Sequence, residues 1–292
     1  MIEAQPSRTA LRVALRRAAH QVHDAKPLVF DDPLAVRILS KESRAELART
    51  PDSEKRPFSA ALRAFMVCRA RFAEDVLASG VRISDVSQYL VLGAGLDTFA
   101  YRNPFAGVKV FEVDHPATQA WKRERLEDAE IAVPESVQFV AVDFERQSLR
   151  EQLLAAGFDP GAPTVTAWLG VVPYLTLEAF RSTVSLLGSF AEGSEVVFDY
   201  SQPREVLSPR EQLMLDSMAS RVAQAGEPFQ LFFTPQALAK ELEVAGLKVV
   251  EDLDGPAIHA RYLEGRSDGL ALRGRGGRIC HARVGGISPA AQ

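Results

Sequence analysis

Hydrophobic positions recur at helical spacing along the first part of the chain. In residues 8–23, for example, Leu11, Leu15 and Val22 lie three to four positions apart or at multiples of that spacing. Further helices are predicted over residues 33–39, 41–49 and 59–78, with an Asp-Asp-Pro sequence before the first of them and Gly80 after the last. We therefore expect residues 1–84 to form a helical segment.

Short apolar runs alternate with helical segments after residue 85. The predicted strands are 88–92, 108–114, 137–142, 164–169, 194–199, 248–253 and 278–284, and the predicted helices are 116–129, 149–156, 177–190, 208–225 and 235–245. This alternation predicts an α/β fold with a doubly wound, Rossmann-like sheet of seven strands over residues 85–292, in one structural unit with the helical segment. Ligands of such sheets bind beyond the carboxyl ends of strands, where the strand order reverses.

Composition narrows the function classes. The net charge is −4 and no long run of one sign occurs, so we expect no nucleic-acid partner. No apolar stretch is long enough to cross a bilayer, and the first residues lack a hydrophobic signal core, so a cytoplasmic protein acting on a small molecule is expected. The two cysteines and five histidines show no metal-ligand spacing, and no metal site is predicted.

A glycine-rich turn follows the first predicted strand. Gly93 and Gly95 permit backbone angles that other residues avoid, and they allow a ligand to approach the main chain. Asp114 follows Gly95 by 19 residues at the end of the next strand, where a carboxylate can bind ribose hydroxyls. The two features indicate an adenosine-containing ligand, either a dinucleotide or S-adenosyl-L-methionine. Thr98 stands where a dinucleotide site would have a third glycine, which disfavours an NAD(P)-dependent oxidoreductase.

A second strand-end acid follows the third predicted strand. Asp143 could accept a hydrogen bond from the exocyclic amine of an adenine, and Phe144 could donate its backbone N–H to the ring. An N-cap role for Asp143 explains the local sequence equally well.

Four segments in order resemble one known family. They are Thr9-Ala-Leu11, Phe30-Asp-Asp-Pro33, Leu92-Gly-Ala-Gly-Leu-Asp-Thr98 with Tyr101-Arg102, and Phe111-Glu-Val-Asp-His-Pro116. Together they resemble the leucine carboxyl methyltransferase-related family of S-adenosyl-L-methionine-dependent methyltransferases, over roughly residues 7–250. The resemblance implies a methyltransferase that uses S-adenosyl-L-methionine, with O-methylation of a carboxyl or hydroxyl group on a small molecule.

The resemblance also implies that residues 1–84 form a cap over the donor, and it implies roles for individual residues. Gly93 would lie against the methionine part of the donor, Asp114 on the ribose, and Asp143 with Phe144 around the adenine. Arg69 matches the family arginine that pairs with the donor's carboxylate, which suits a bidentate guanidinium.

The segment around Trp168 resembles the family's Trp-Glu-Gly element, with one departure. Leu169 replaces the usual glutamate, and Val91 stands where many methyltransferases have an acid. Tyr174 in the same segment is the predicted catalytic residue, as a base or as an orienting group. A non-catalytic protein of the same fold is a further alternative that these two departures motivate.

Overall fold

A mixed sheet lies at the centre of the fold. The structure is a computed structural model that describes residues 7–49, 57–143, 146–224 and 226–285, and in these residues the sheet has seven strands. The strands are β1 (Gln88–Leu92), β2 (Lys109–Asp114), β3 (Val137–Ala141), β4 (Thr164–Trp168), β5 (Glu195–Ser201), β6 (Leu247–Leu253) and β7 (Gly277–Val284). All seven predicted strands are confirmed, with ends that differ by at most two residues.

The strand order places a reversal point between two central strands. The order is β3-β2-β1-β4-β5-β7-β6; the first five strands are parallel, and β7 is antiparallel to both β5 and β6. Because β1 pairs with β2 on one side and β4 on the other, the chain winds outward in both directions from β1. A crevice beyond the carboxyl ends of β1 and β4 is the expected ligand site of such a sheet, and the doubly wound prediction is confirmed.

Helices cover the sheet and form the N-terminal part. They are α1 (Arg8–His23), α2 (Lys41–Arg49), α3 (Pro57–Ile83), α4 (Pro116–Asp128), α5 (Leu149–Ala155), α6 (Leu177–Gly188), α7 (Pro209–Ala223), α8 (Pro235–Val244) and α9 (Gly255–Tyr262). Within the described residues, no helix is both long and apolar enough to cross a membrane. Both cysteines, Cys68 and Cys280, are buried and free.

The helix α3 packs directly on the sheet. Its buried face, including Ala64 and Val67, shares one apolar core with β1, β4 and β5. We predicted that Gly80 ends this helix, and that prediction is wrong, because the helix continues to Ile83. A Cβ at Gly80 would lie 2.9 Å from Cγ2 of Val86 and 3.2 Å from Cγ2 of Val165, so the glycine allows close packing of helix and strand.

Two other sequence expectations need correction. Residues 33–39 form turns instead of the predicted helix. The side chain of Asp32 accepts the N–H of Leu34, two residues on, and such a local turn competes with a helix. Conversely, α9 was not predicted, although its start carries a usual signal: Asp254 caps it by accepting the N–H of Ala257.

Candidate active site

One cavity of about 1060 Å³ lies beyond the carboxyl ends of β1 and β4. Its walls come from α1, α3, the glycine turn, the ends of β2 and β3, α6, and residues 226–230. The predicted site residues that line it are Arg69, Gly93, Gly95, Asp114, Asp143 and Tyr174. Phe144 lies outside the described residues. The structure thus brings together side chains that are up to 105 positions apart in the printed sequence, from Arg69 to Tyr174.

The glycine turn presents its backbone to the cavity. Gly93 and Gly95 have φ angles of +70° and +46°, in the left-handed region that favours glycine. A Cβ at Gly93 would lie 2.5 Å from Cγ2 of Val171, and one at Gly95 would lie 3.1 Å from Cβ of Ala10. Side chains at these positions would strain the turn and fill the cradle that a nucleoside ligand needs, so the turn fits such a ligand.

Asp114 at the end of β2 is already oriented by the backbone. Its Oδ2 accepts the N–H of Gly95 at 2.6 Å, and its Oδ1 accepts the N–H of His115 at 2.7 Å. Burial raises the pKa of Asp114, and these two hydrogen bonds partly oppose that increase. Each carboxylate oxygen keeps acceptor capacity for one further donor, which matches two neighbouring hydroxyl groups.

Asp143 follows β3, the strand that pairs with β2, so it lies at the same edge of the sheet as Asp114. Its N–H donates to Oε1 of Gln147 at 2.9 Å, and its carboxylate lies 3.6 Å from Nε of Arg146. The side chain is 24% exposed, so the carboxylate remains accessible to a ligand. Arg146 and Gln147 line the cavity beside it.

Arg69 has a partner that sequence reasoning missed. Its Nη1 donates to Oδ2 of Asp199 at 2.8 Å, and Oδ1 of Asp199 accepts the N–H of Gly170 at 2.6 Å. Gly170 has a φ of +73°, and a Cβ there would lie 2.8 Å from Nη2 of Arg69. The residues Asp199 and Gly170 therefore fix one edge of the guanidinium group. Like Asp114 and Asp143, Asp199 lies near the carboxyl end of a buried strand, which was an available signal.

Tyr174 lies in a short 3-10 turn, Val172–Tyr174, at the mouth of the cavity. Its ring packs on Phe229, with centroids 5.2 Å apart, and Thr9 lines the same cavity. The hydroxyl of Thr9 donates to Glu227. Burial raises the pKa of Tyr174 to about 12, so the phenol is protonated at neutral pH and can donate a hydrogen bond but cannot serve as a ready base.

Other possible bases have structural roles in the described part of the chain. Nδ1 of His115 accepts the N–H of Ala117 and caps α4. His20, His23 and Tyr200 do not line the cavity, and each is hydrogen-bonded elsewhere. No group of three or more His, Cys, Asp or Glu among the described residues is arranged to hold a metal ion.

Comparison with known proteins identifies the family. A model described as leucine carboxyl methyltransferase matches residues 10–188. YktD of Bacillus subtilis (strain 168), named as an S-adenosyl-L-methionine-dependent methyltransferase, is 32% identical over 294 residues, covering 93% of this chain and 96% of YktD. The chain belongs to the leucine carboxyl methyltransferase family.

Membership of this family establishes the reaction class. The chain is an S-adenosyl-L-methionine-dependent methyltransferase, and S-adenosyl-L-methionine is its methyl donor. The sequence relatives are named as methyltransferases and give no support to the oxidoreductase alternative. The crystal structure of a DUF574 family protein from Streptomyces avermitilis has a TM-score of 0.58 at 17% identity, covering 97% of this chain and 99% of that one. The shared fold thus extends over nearly the whole methyltransferase.

Leu169 remains a departure from the family motif in the structure. It lines the cavity and packs against the apolar core beneath α3. A leucine provides no hydrogen-bond acceptor, so any polar group of the donor at this point must find its partner elsewhere.

Proposed function

We propose that this methyltransferase transfers its methyl group to a carboxyl or hydroxyl oxygen of a small molecule. The size of the cavity supports a small-molecule acceptor. At about 1060 Å³ its volume is just above the range of about 300–1000 Å³ that is usual for small-molecule sites. Such a volume suits a donor and a compact acceptor side by side.

In the proposed donor site, Asp114 binds the ribose hydroxyls and Asp143 accepts from the adenine amine. The backbone at Gly93 lies against the methionine part, and Arg69 pairs with the carboxylate. Phe144 is proposed to complete the adenine site. Nη1 of Arg69 is held by Asp199, so the remaining N–H groups of the guanidinium are those proposed to reach the ligand.

The proposed acceptor site lies toward Tyr174. Met66, Leu169 and Val13 supply apolar lining there, and Thr9 and Glu227 supply polar groups. The helical cap, residues 1–84, is proposed to cover both ligands through α1, because Thr9 near its start is hydrogen-bonded to Glu227 across the mouth of the cavity. Covering the site would exclude water from the reacting groups.

The bound donor supplies a methyl group on a positively charged sulfur. The leaving group, S-adenosyl-L-homocysteine, therefore departs as a neutral thioether and needs no protonation. The protein's task is therefore to place the acceptor oxygen in line with the methyl group, where proximity and orientation can supply much of the rate. Tyr174 is proposed to orient the acceptor by donating a hydrogen bond. A carboxylate acceptor is ionised at neutral pH and needs no base. A hydroxyl acceptor would need a base within hydrogen-bonding reach, and Glu227 is the carboxylate proposed for that role in the acceptor site.

The acceptor can be identified by incubating the enzyme with methyl-labelled donor and an extract of the source cells. The labelled product is then purified and treated with mild alkali. We expect label on a small molecule: release as methanol indicates a methyl ester, and retention of the label indicates a methyl ether. Label on a nitrogen or carbon atom, or on a macromolecule, would contradict the proposal.

A further inference from the structure

The inner end of the cavity is lined by polar groups to which the proposed site assigns no role. These groups are Arg17 of α1, Glu74 of α3, Tyr89 of β1 and Asp97 after the glycine turn. Ala70 also lines the cavity, and Glu74 follows it by one helical turn, about 6 Å along α3. Arg69 and Glu74 therefore flank the same stretch of the cavity wall.

The charges at this end do not balance. Nη1 of Arg17 lies 2.6 Å from Asp97, and its Nη2 lies 2.6 Å from Asp32. Arg102 makes two hydrogen bonds to Glu74, and its Nε lies 3.4 Å from Asp32. Three carboxylates thus surround two guanidinium groups, which leaves one negative charge in a largely buried cluster.

The excess negative charge faces the cavity. The side chains of Glu74 and Asp97, both of which line it, are 20% and 23% exposed, whereas that of Asp32 is fully buried. The nearby ammonium group of Lys122 cannot balance this charge, because Glu112 already neutralises it at 2.7 Å. A buried charge is costly unless it is paired, so this cluster favours a cationic ligand.

The hydroxyl of Tyr89 has no hydrogen-bond partner in the part of the chain that the structure describes. Tyr89 is 3% exposed, and its ring packs on Phe99 with centroids 4.7 Å apart. Burial, followed by the charges of Asp97 and Glu74, raises the pKa of Tyr89, as expected for a hydroxyl close to both carboxylates. The ring is buried but the hydroxyl oxygen is not among the fully buried unpaired atoms of the described residues, so it is open to the cavity that Tyr89 lines and can accept a hydrogen bond from a ligand.

We propose that Glu74, Asp97 and Tyr89 bind the α-ammonium group of the methyl donor while Arg69 binds its α-carboxylate, an inference that rests on the donor site proposed above. The two groups are attached to one carbon atom, so they need opposite charges side by side. An ammonium group has three N–H donors and no acceptor, which matches two carboxylates and a hydroxyl oxygen. Val91 and Leu169, which line the same cavity, offer no side-chain acceptor.

Calorimetric binding to the full-length chain can test this assignment with two probes. One is S-adenosyl-L-homocysteine, and the other is its deaminated analogue, in which hydrogen replaces the ammonium group. Because hydrogen bonds to charged groups are the stronger ones, we expect the wild-type chain to bind the analogue about 10- to 100-fold more weakly. Tyr89→Phe and Glu74→Gln should each weaken binding of S-adenosyl-L-homocysteine by about tenfold and change binding of the analogue less than about twofold.

Asp143→Asn is the matched control. Both probes carry the adenine that Asp143 is proposed to contact, so this variant should weaken the binding of both probes by the same factor. Glu74→Gln could disturb folding because Glu74 is hydrogen-bonded to Arg102. Tyr89→Phe then carries the test, since the Tyr89 hydroxyl makes no hydrogen bond within the described residues and its removal breaks none there. Equal affinity of the wild-type chain for both probes, or an equal loss for both probes in Tyr89→Phe, would overturn this inference alone. Failure of the wild-type chain to bind either probe would overturn the proposed donor site as well.

Discussion

At the scale of single residues, the two backbone hydrogen bonds to Asp114 orient its carboxylate before a ligand binds. We expect Asp114→Asn to weaken binding of S-adenosyl-L-homocysteine by about 10- to 100-fold, because it removes a charged acceptor from the ribose site. Titration calorimetry measures this loss. The surface variant Asp216→Asn, which lies in an exposed pair with Arg204, serves as the control. Unchanged affinity in Asp114→Asn would argue against the ribose contact.

Tyr174 is predicted to orient the acceptor by donating a hydrogen bond. Since its pKa is raised to about 12, the phenol stays neutral over the range in which enzymes are assayed, and its loss should not remove a titrating base. Tyr174→Phe should lower kcat about 3- to 10-fold while the pH dependence of kcat/KM keeps its shape. Steady-state kinetics over a pH series provides the test. Disappearance of an apparent pKa near neutrality would instead identify Tyr174 as a base.

Individual site residues were predictable where local sequence determines their position. Asp114 and Asp143 each follow an apolar strand, so their place at one edge of the sheet could be predicted, although their ligand contacts stay predictions. The pair of Arg69 with Asp199 was missed because its members are 130 residues apart and meet through the packing of α3 on β5. The ion pair of Asp32 with Arg17 was missed although its members are only 15 residues apart, because no local signal shows that Asp32 folds back onto α1.

At the scale of elements, α1 is attached to the glycine turn by a buried ion pair. Burial opposes ionisation of Asp97, but Arg17 and other nearby cations outweigh it and lower the pKa of Asp97 from 3.8 to about 2. A carboxyl group whose pKa is lowered by folding stabilises the fold above its ordinary pKa, and this contribution is lost as the pH falls toward 2.

Asp97→Asn should therefore lower the free energy of unfolding by about 2 kcal/mol at neutral pH. Urea unfolding at neutral pH and near pH 3 measures the difference from wild type, which should shrink in acid. The exposed pair of Asp216 with Arg204 provides the comparison, because Asp216→Asn should have little effect at either pH. A loss for Asp97→Asn that is equal at both pH values would show that the ion pair does not carry the effect.

The start of α1 is joined to the segment at 226–230 by Thr9 and Glu227. If this contact closes the cavity, Thr9→Val should speed dissociation of S-adenosyl-L-homocysteine by about 2- to 10-fold, because an isosteric side chain removes the hydrogen bond. Stopped-flow fluorescence measures the rate. Glu227→Gln should have a similar effect, and the double variant should add little to either single one. Additive effects, or an unchanged rate, would mean that the contact does not retain the ligand.

Elements were predictable when their apolar pattern was long and regular. All seven strands and most helices follow from such runs. The central strands β1 and β4 are buried along their whole length, and a strand buried on both faces is apolar throughout. The errors occur where tertiary contacts override local signals. Gly80 lies inside α3 because Val86 and Val165 approach it, and residues 33–39 turn because the carboxylate of Asp32 is used in a buried network.

At the scale of the whole molecule, the sheet order explains why distant segments form one cavity. The chain winds outward in both directions from β1, so the carboxyl ends of neighbouring parallel strands meet beneath α1 and α3. The existence of a ligand site at this reversal point was predictable from strand alternation. The inner cluster of Arg17, Glu74, Tyr89 and Asp97 was not, because it combines helices, a strand and a turn that only the complete fold brings together.

The central claim is that the cavity above Gly93 holds the adenosyl donor between Asp114, Asp143 and Arg69. A crystal structure of the chain with S-adenosyl-L-homocysteine tests this claim most directly. We predict ribose hydroxyls within hydrogen-bond distance of Asp114, the adenine amine at Asp143 and the carboxylate at Arg69. A nucleoside bound elsewhere, or one bound in this cavity with its ribose turned away from Asp114, would contradict the account.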